Sequence, residues 1–145
     1  MQTTLLDDAD GLETWAVILE TGDEAMDCLG RFARERDITG ASLSAIGAFE
    51  EAVLLYFDWQ SKAYQEIPVP EQVEVAAFTG DIGVDAEGTP ALPVHVVLGR
   101  HDGSALAGHL KTGKVRPTLE VIVTETPRHL RRVADAATGL TLIRL

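Results

Sequence analysis

Cysteine and basic side chains are the scarce residues of this sequence, and each scarcity excludes a class of protein. The chain has a single cysteine, Cys28, so no disulfide can form within it, and this predicts a reducing, cytoplasmic environment. There are only 12 Lys and Arg against 23 Asp and Glu, which gives a net charge of -11. Nucleic acids and anionic membrane surfaces are bound through clustered Lys and Arg. The charge balance therefore disfavours both as direct partners.

Long hydrophobic segments, repeats and low-complexity linkers are also missing. No apolar run approaches the roughly 20 residues that a membrane-spanning helix needs. The acidic start, MQTTLLDDAD, lacks the basic residues and the apolar stretch of a signal peptide. The length of 145 residues predicts a single domain over residues 13–145. Residues 1–12 are predicted to be an N-terminal leader, either frayed or folded as a short first strand.

What is present is mainly short strands of β-branched and aromatic residues, separated by turn residues. One amphipathic helix is predicted over Thr21–Arg36, where Thr21 and Glu24 match a capping box. Thr126-Pro127 predicts the start of a short second helix that ends near Ala136. Because strands joined by short turns are antiparallel, the predicted fold class is α+β, an antiparallel sheet flanked by one main helix and a short second helix. The predicted strands are 14–20, 38–46 after an initial turn, 51–59, 63–67, 72–80, 93–99, 105–110, 117–126 and 140–145.

Three of the four histidines lie in one segment, PVHVVLGRHDGSALAGHL. Asp102-Gly103 is a turn signal between two apolar strands, so a hairpin would place His95 and His109 almost symmetrically about the turn. Side chains opposite each other on paired strands are close enough to share a metal ion or an anion. His95 and His109 are therefore candidate ligands for a divalent transition metal such as zinc, or for a small molecule. The alternative is structural, with His95 in the core and His109 bonded to a carbonyl group.

Gly108, Asp102, Glu74 and Glu120 complete the set of candidate ligand-binding residues. Gly108 within a strand predicts a bulge or a close approach of another backbone. Glu74 and Glu120 interrupt apolar strands, so each lies either on a solvated face or, if buried, carries a shifted pKa. Zinc usually takes three or four protein ligands, of which the spacing supplies two. The chain has no P-loop, GxGxxG or GxSxG pattern, and no catalytic residue is predicted.

Together these segments resemble the PPC (plants and prokaryotes conserved) domain family, also known as DUF296, from about Glu20 to the C-terminus. The segment TGDEAMDCLGRFARERDITGASLSAIGAFEEAVLLYF resembles the family's acidic opening, its helix and its "ltaIGal" strand. QVEVAAFTGDIG resembles the "fEilsltGni" strand, with Glu74 at the glutamate. PVHVVLGRHDGSALAGHL resembles the "HxH…dG…GGHL" hairpin, and TLEVIV the strand that follows, with Glu120 at the glutamate position.

The resemblance implies an antiparallel sheet flanked by a helix, and association as a homotrimer. Some prokaryotic relatives hold a metal with both histidines of HxH and the histidine of GGHL. His95 and His109 occupy two of these positions, whereas Pro93 replaces the first histidine and Ala107 the first glycine. Family-type metal binding therefore needs a third ligand from elsewhere in the chain.

DNA association is the last function that the resemblance raises. Plant members bind DNA through AT-hooks, but nothing here resembles their basic RGRP core, and the basic cluster of Arg128, Arg131 and Arg132 is expected to be a solvated helix face. The sequence first predicts a non-catalytic, homo-oligomeric binding or regulatory module with protein partners. The alternatives are a metal- or small-molecule-binding protein, or an enzyme, that uses His95 and His109, and a DNA-binding protein.

Overall fold

Alternation of apolar and polar residues makes strands of most of this chain. The structure, a computed structural model, describes residues 1–127, 130 and 132–143. On one long strand, for example, Ala41, Leu43 and Ala45 are buried while Ser42 and Ser44 are exposed, as expected for side chains that point to opposite faces of a sheet. In chain order the elements are β1 (Gln2–Ala9), β2 (Leu12–Glu20), α1 (Ala25–Glu35), β3 (Ala41–Asp58), β4 (Ala63–Val69), β5 (Val73–Val84), β6 (Pro90–Ala91), β7 (Val94–Gly99), β8 (Ala105–Glu125), β9 (Arg132–Asp135) and β10 (Leu140–Ile143).

The main sheet is antiparallel and bends back on itself. Its strand order is β1-β2-β8-β7-β5-β3-β4, with β6 paired to β5. Strand β8 pairs with β7 at one end and with β3 along most of its length. Strands β3, β5, β7 and β8 therefore form a closed circuit of pairings, and β9 and β10 form a separate hairpin. The predicted class, an antiparallel sheet with one main helix, is confirmed.

The core is lined by the buried faces of these strands and by the apolar face of α1. Leu29, Phe32 and Ala33 of α1 are buried, and the Phe32 ring meets Trp15 of β2 edge-on with centroids 5.7 Å apart. Phe49 of β3 is also fully buried. Burial of each such ring contributes about 2 kcal/mol to stability.

Gly47 allows β3 to cross β8 at close range. The predicted strand 38–46 ends just before Gly47, but β3 continues through this residue, with register shifts beside Gly47 in its pairings with both β5 and β8. A Cβ atom at Gly47 would lie 2.2 Å from the Thr118 carbonyl oxygen, so only glycine fits there. The predicted strands 38–46 and 51–59 are therefore parts of one strand, and 105–110 and 117–126 are likewise joined in β8.

The structure settles the state of the N-terminal segment and corrects the start of the main helix. Residues 2–9 form a strand paired with β2, which is one of the two states expected of this segment. Helix α1 begins at Ala25, later than predicted, and Glu24 is its N-cap. Thr21 is not the cap, because its hydroxyl group donates to the Pro117 carbonyl oxygen at 3.1 Å.

The predicted second helix is not found among the described residues. Arg132–Asp135 forms strand β9 and pairs with β10, because the extended chain lets each strand satisfy the other's backbone groups. Arg128, His129 and Arg131 of the predicted helix lie outside the described residues. No described helix has the length and apolar character needed to cross a membrane.

Candidate functional site

Strands β7 and β8 form a hairpin that brings two histidines together. His95 and His109 are direct partners in the register, and their ring centroids are 5.3 Å apart with the rings nearly perpendicular at 79°. At the turn, the Asp102 carboxylate accepts hydrogen bonds from the Ser104 amide at 2.9 Å and the Ser104 hydroxyl at 2.6 Å. These bonds hold the pKa of Asp102 below its usual value. The turn chemistry therefore sets the register that makes the histidines neighbours.

His109 lies between two other rings and is half-buried. The Tyr64 ring of β4 is on its other side, with centroids 5.7 Å apart and the planes tilted by 36°. Burial lowers the pKa of His109, and the adjacent His95 lowers it further, because both disfavour the protonated form of the His109 ring. At neutral pH the His109 imidazole is uncharged, so it can both donate and accept a hydrogen bond.

A cleft of about 810 Å³ opens beside the histidine pair. One wall is the surface of the sheet and the other is the β9–β10 hairpin. The cleft is thus formed by segments far apart in the sequence. On the sheet side the lining includes Leu55, Phe57, Tyr64, His95, Gly108 and His109, and on the hairpin side Arg132, Gly139, Leu140, Thr141 and Leu142.

The β9–β10 wall is attached to the rest of the molecule by ionic and polar contacts. One guanidinium nitrogen of Arg132 donates to both carboxylate oxygens of Asp81 on β5, at 2.7 and 2.9 Å, and another donates to the Thr141 carbonyl at 3.2 Å. The Lys62 ammonium group, in the β3–β4 turn, donates to the Ala137 carbonyl. The largely buried, charge-assisted Arg–Asp pair is the stronger of these contacts, so the wall has a defined position.

The donor set beside His95 and His109 does not fit the metal site that the family resemblance implies. Pro93 has no side-chain donor, and its carbonyl oxygen accepts from the Asp81 amide at 3.4 Å. No group of three or more His, Cys, Asp and Glu side chains that could hold a metal ion occurs among the described residues. Two imidazoles fall short of the three or four protein ligands that zinc takes.

Of the other predicted site residues, Gly108 lies at the cleft and three carboxylates do not. A Cβ atom at Gly108 would lie 3.1 Å from the Leu55 carbonyl oxygen, which is the close backbone approach that was expected. Asp102 lies at the tip of the hairpin and Glu74 is opposite Gly99 at the far end of β7. Glu120 is exposed near the other end of β8, opposite Ile46 of β3. The structure therefore does not bring these carboxylates to the histidines.

The aromatic and apolar residues of the cleft were not among the site residues predicted from the sequence. Phe57 and Tyr64 are direct partners in the β3–β4 hairpin, and that hairpin was predicted, so their proximity could have been read from it. The pairing of Leu55 with His109 across β3 and β8 joins distant parts of the chain. Nothing local in the sequence signals it.

A comparison with models of protein families gives a match that covers most of the chain. The model of the Plants and Prokaryotes Conserved (PCC) domain matches residues 7–127. Among curated proteins, none matches the chain.

Several solved structures are similar over nearly the whole chain. A provisionally assigned DNA-binding protein from Bacteroides thetaiotaomicron has a TM-score of 0.90 and 27% identity, covering 99% of this chain and 96% of its own. A metal-containing protein from Archaeoglobus fulgidus has a TM-score of 0.84 and 30% identity, with coverage of 91% and 93%. A plant- and prokaryote-conserved (PPC) protein from Pyrococcus horikoshii has a TM-score of 0.84 at 24% identity, with coverage of 99% and 95%, a likeness that concerns the fold alone.

Proposed function

We propose a function for this chain from its family: it belongs to the Plants and Prokaryotes Conserved (PCC) domain family, as its resemblance to PPC proteins predicted. In this proposal the chain is a non-catalytic, homo-oligomeric binding module with a regulatory role, and it assembles as the homotrimer that the family resemblance implies. The observation that carries the proposal is an uncovered apolar surface on the sheet.

This surface, which we name the outer face, consists of small and apolar side chains on neighbouring strands. Ser44 pairs with Ile122, and Val97 pairs with Ala77 and Ala107. The members of the outer face are Ser44, Ile46, Ala77, Val97, Ala107 and Ile122, of which Ile46 is 64%, Ile122 40% and Val97 36% exposed.

The composition of the outer face favours contact with another protein surface over contact with water. The solvent side of an antiparallel sheet is normally polar, and contiguous exposed apolar patches usually mark interaction sites. Helix α1 packs its buried residues into the core, so it leaves this face uncovered. A second copy of the chain offers the same patch, and most homo-oligomers close such contacts by symmetry.

The surroundings of the histidines support binding in place of catalysis. Among the described residues, neither His95 nor His109 has a carboxylate or hydroxyl partner within hydrogen-bonding distance that would orient it as a general base. The three candidate carboxylates lie away from the cleft, as described above. Turnover of a physiological substrate that is abolished by His109→Ala would overturn this part of the proposal.

Replacement of Ile46 by glutamate tests the oligomer. Ile46→Glu places a charge on the outer face opposite Glu120, so the oligomer is expected to dissociate to monomers when its mass is measured by light scattering. The matched control is Leu6→Glu, because Leu6 on β1 is similarly exposed, at 55%, but lies outside the outer face. A wild-type chain that is already monomeric, or equal dissociation by both variants, would contradict the proposal.

A further inference from the structure

Four aromatic contacts connect five rings in a row on the surface of the sheet. The centroid distances are 6.4 Å from Trp59 to Phe57, 5.2 Å from Phe57 to Tyr64, 5.7 Å from Tyr64 to His109 and 5.3 Å from His109 to His95. We name these five residues the ring row. All four distances lie in the range of attractive ring contacts, so the row is a continuous aromatic surface across β3, β4, β8 and β7.

Four of the five rings, all but that of Trp59, line the cleft, and the ring row is not part of the core. The pairings of Phe57 with Tyr64, Leu55 with His109 and His95 with His109 place these side chains on the same face of the sheet. Tyr64 remains 46% exposed although it lines the cleft. An aromatic surface left uncovered at a concave site is typical of the apolar part of a ligand pocket.

The cationic side chain described in the cleft lining, Arg132, is already paired with a carboxylate. Arg132 is paired with both carboxylate oxygens of Asp81. The Asp85 carboxylate accepts hydrogen bonds from the Glu87 and Thr89 amides at 3.0 and 2.8 Å. The lowered pKa of His109 leaves that ring uncharged at neutral pH. An anionic ligand would therefore find no unpaired cation among these groups, and the Asp85 carboxylate is held by amides of its own loop.

The opposite wall is apolar and comes from a separate segment. Leu140 and Leu142 of β10 line the cleft, and β9–β10 follows residue 127, where the match to the family model ends. The cleft volume of about 810 Å³ is within the range of small-molecule sites. A cleft of this volume is large enough for a flat molecule of one or two rings.

We propose that this cleft binds an uncharged, planar aromatic molecule, with one face against Tyr64 and His109 and the other against Leu140 and Leu142. A hydroxyl group or ring nitrogen of the ligand would meet the imidazole of His95 or His109. The inference rests on the proposed function in one respect, that the chain binds its ligand without converting it.

Three naphthalene derivatives of one size test the ligand class. Titrations followed by ¹H–¹⁵N NMR compare 2-naphthol, which is planar and uncharged, with decahydro-2-naphthol, which keeps the carbon skeleton and hydroxyl group but is saturated. The third probe, 2-naphthoate, is planar and charged. We expect 2-naphthol to bind about fivefold more tightly than the saturated alcohol, from ring contacts beyond area burial, and more tightly than the carboxylate. Equal affinities for the two alcohols, tighter binding of 2-naphthoate, or no binding would overturn the proposal.

Two substitutions in the ring row locate the site. Tyr64→Leu is expected to remove the preference for 2-naphthol over its saturated analogue, because leucine is apolar but has no ring face. Trp59→Leu is the matched control, since Trp59 belongs to the ring row but does not line the cleft, and its preference should stay as in the wild type. If Tyr64→Leu fails to fold, Leu142→Asp on the opposite wall tests the same site, and the proposal requires that it weaken 2-naphthol binding. Unchanged preference in Tyr64→Leu, or unchanged affinity in Leu142→Asp, contradicts the assignment.

The proposal of an oligomer and the proposal of a ligand in the cleft can be tested separately. Ile46→Glu tests assembly, and the naphthol titrations repeated on that variant test the cleft. Ligand preference in a wild-type chain that is monomeric would contradict the oligomer alone, whereas an intact wild-type oligomer without ligand preference would contradict the cleft alone. Dissociation of the oligomer by Leu142→Asp, together with absence of 2-naphthol binding, would show that a second copy of the chain occupies the cleft and would overturn the ligand proposal.

Discussion

At the scale of single residues, His109 shows how strongly the surroundings of a side chain decide its chemistry. It is half-buried between the rings of Tyr64 and His95, and burial is the larger cause of its lowered pKa. An imidazole in this position cannot take up a proton without losing hydration and meeting the neighbouring histidine. In the folded chain the His109 ring is therefore uncharged at neutral pH.

Stability is expected to fall as the pH falls below about 6.5, the ordinary pKa of histidine. The pKa of His109 is lower in the folded chain than in the unfolded chain, so between the two values the unfolded chain binds more protons. The contribution of His109 is then fully present above about pH 6.5 and is lost as the pH decreases towards the folded-state value. Urea unfolding at about pH 7.5 and about pH 5.5 measures it, and His109→Gln should reduce the difference. The same pH dependence in wild type and variant would contradict this assignment.

At the scale of elements, the start of α1 shows how a helix cap can also serve a strand. One carboxylate oxygen of Glu24 accepts from the Asp27 amide at 2.7 Å, inside the helix. The other accepts from the Gly113 amide of β8 at 2.8 Å. Glutamate reaches both donors because its side chain is one methylene longer than aspartate, so the cap also fixes α1 to the sheet.

Glu24→Ala is expected to destabilise the fold by about 1–2 kcal/mol, because it leaves a helix amide and a strand amide without partners. Thr21→Ala is the informative control, since Thr21 is the cap that the capping-box pattern predicts. Its hydroxyl makes one exposed bond to Pro117, so the loss should stay within about 0.5 kcal/mol. Chemical denaturation of both variants measures the two losses, and a larger loss in Thr21→Ala would contradict the observed cap.

At the scale of the whole molecule, acidic residues are in excess, and several of the basic residues form ion pairs with them. Arg100 pairs with Glu71, Lys111 with Glu66, Lys114 with Glu50 and Arg132 with Asp81. The first three pairs are exposed and contribute little to stability, but all four neutralise cations that a nucleic acid would otherwise contact. With a net charge of -11, each copy in an oligomer adds to the negative field.

Duplex DNA is therefore expected not to bind to this chain, even at an ionic strength of about 20 mM, where screening is weak. Fluorescence anisotropy of a labelled duplex, followed with increasing protein and then with increasing salt, measures this. Binding at low salt that is released as salt rises would contradict the expectation and favour the DNA function suggested for relatives such as the protein from B. thetaiotaomicron.

Local patterns in the sequence were sufficient to predict most of the strands, the class of fold and the histidine hairpin. Period-two alternation depends on each residue and its nearest neighbours, and the Asp102-Gly103 turn sets the register of His95 against His109 over a short loop. Where local signals conflicted with longer-range packing they failed. Gly47 resembles a strand end in the sequence, but it is the point at which β3 passes the Thr118 carbonyl of β8.

Tertiary structure alone decided the closure of the sheet and the composition of the cleft. The pairing of β3 with β8 brings Leu55 beside His109, and the contact of Arg132 with Asp81 positions the β9–β10 wall. These contacts join residues that are distant in sequence, and they form because they bury apolar surface and pair polar groups over the whole fold. No short window of sequence contains both partners of these contacts, so the histidine pair was predictable and the aromatic cleft around it was not.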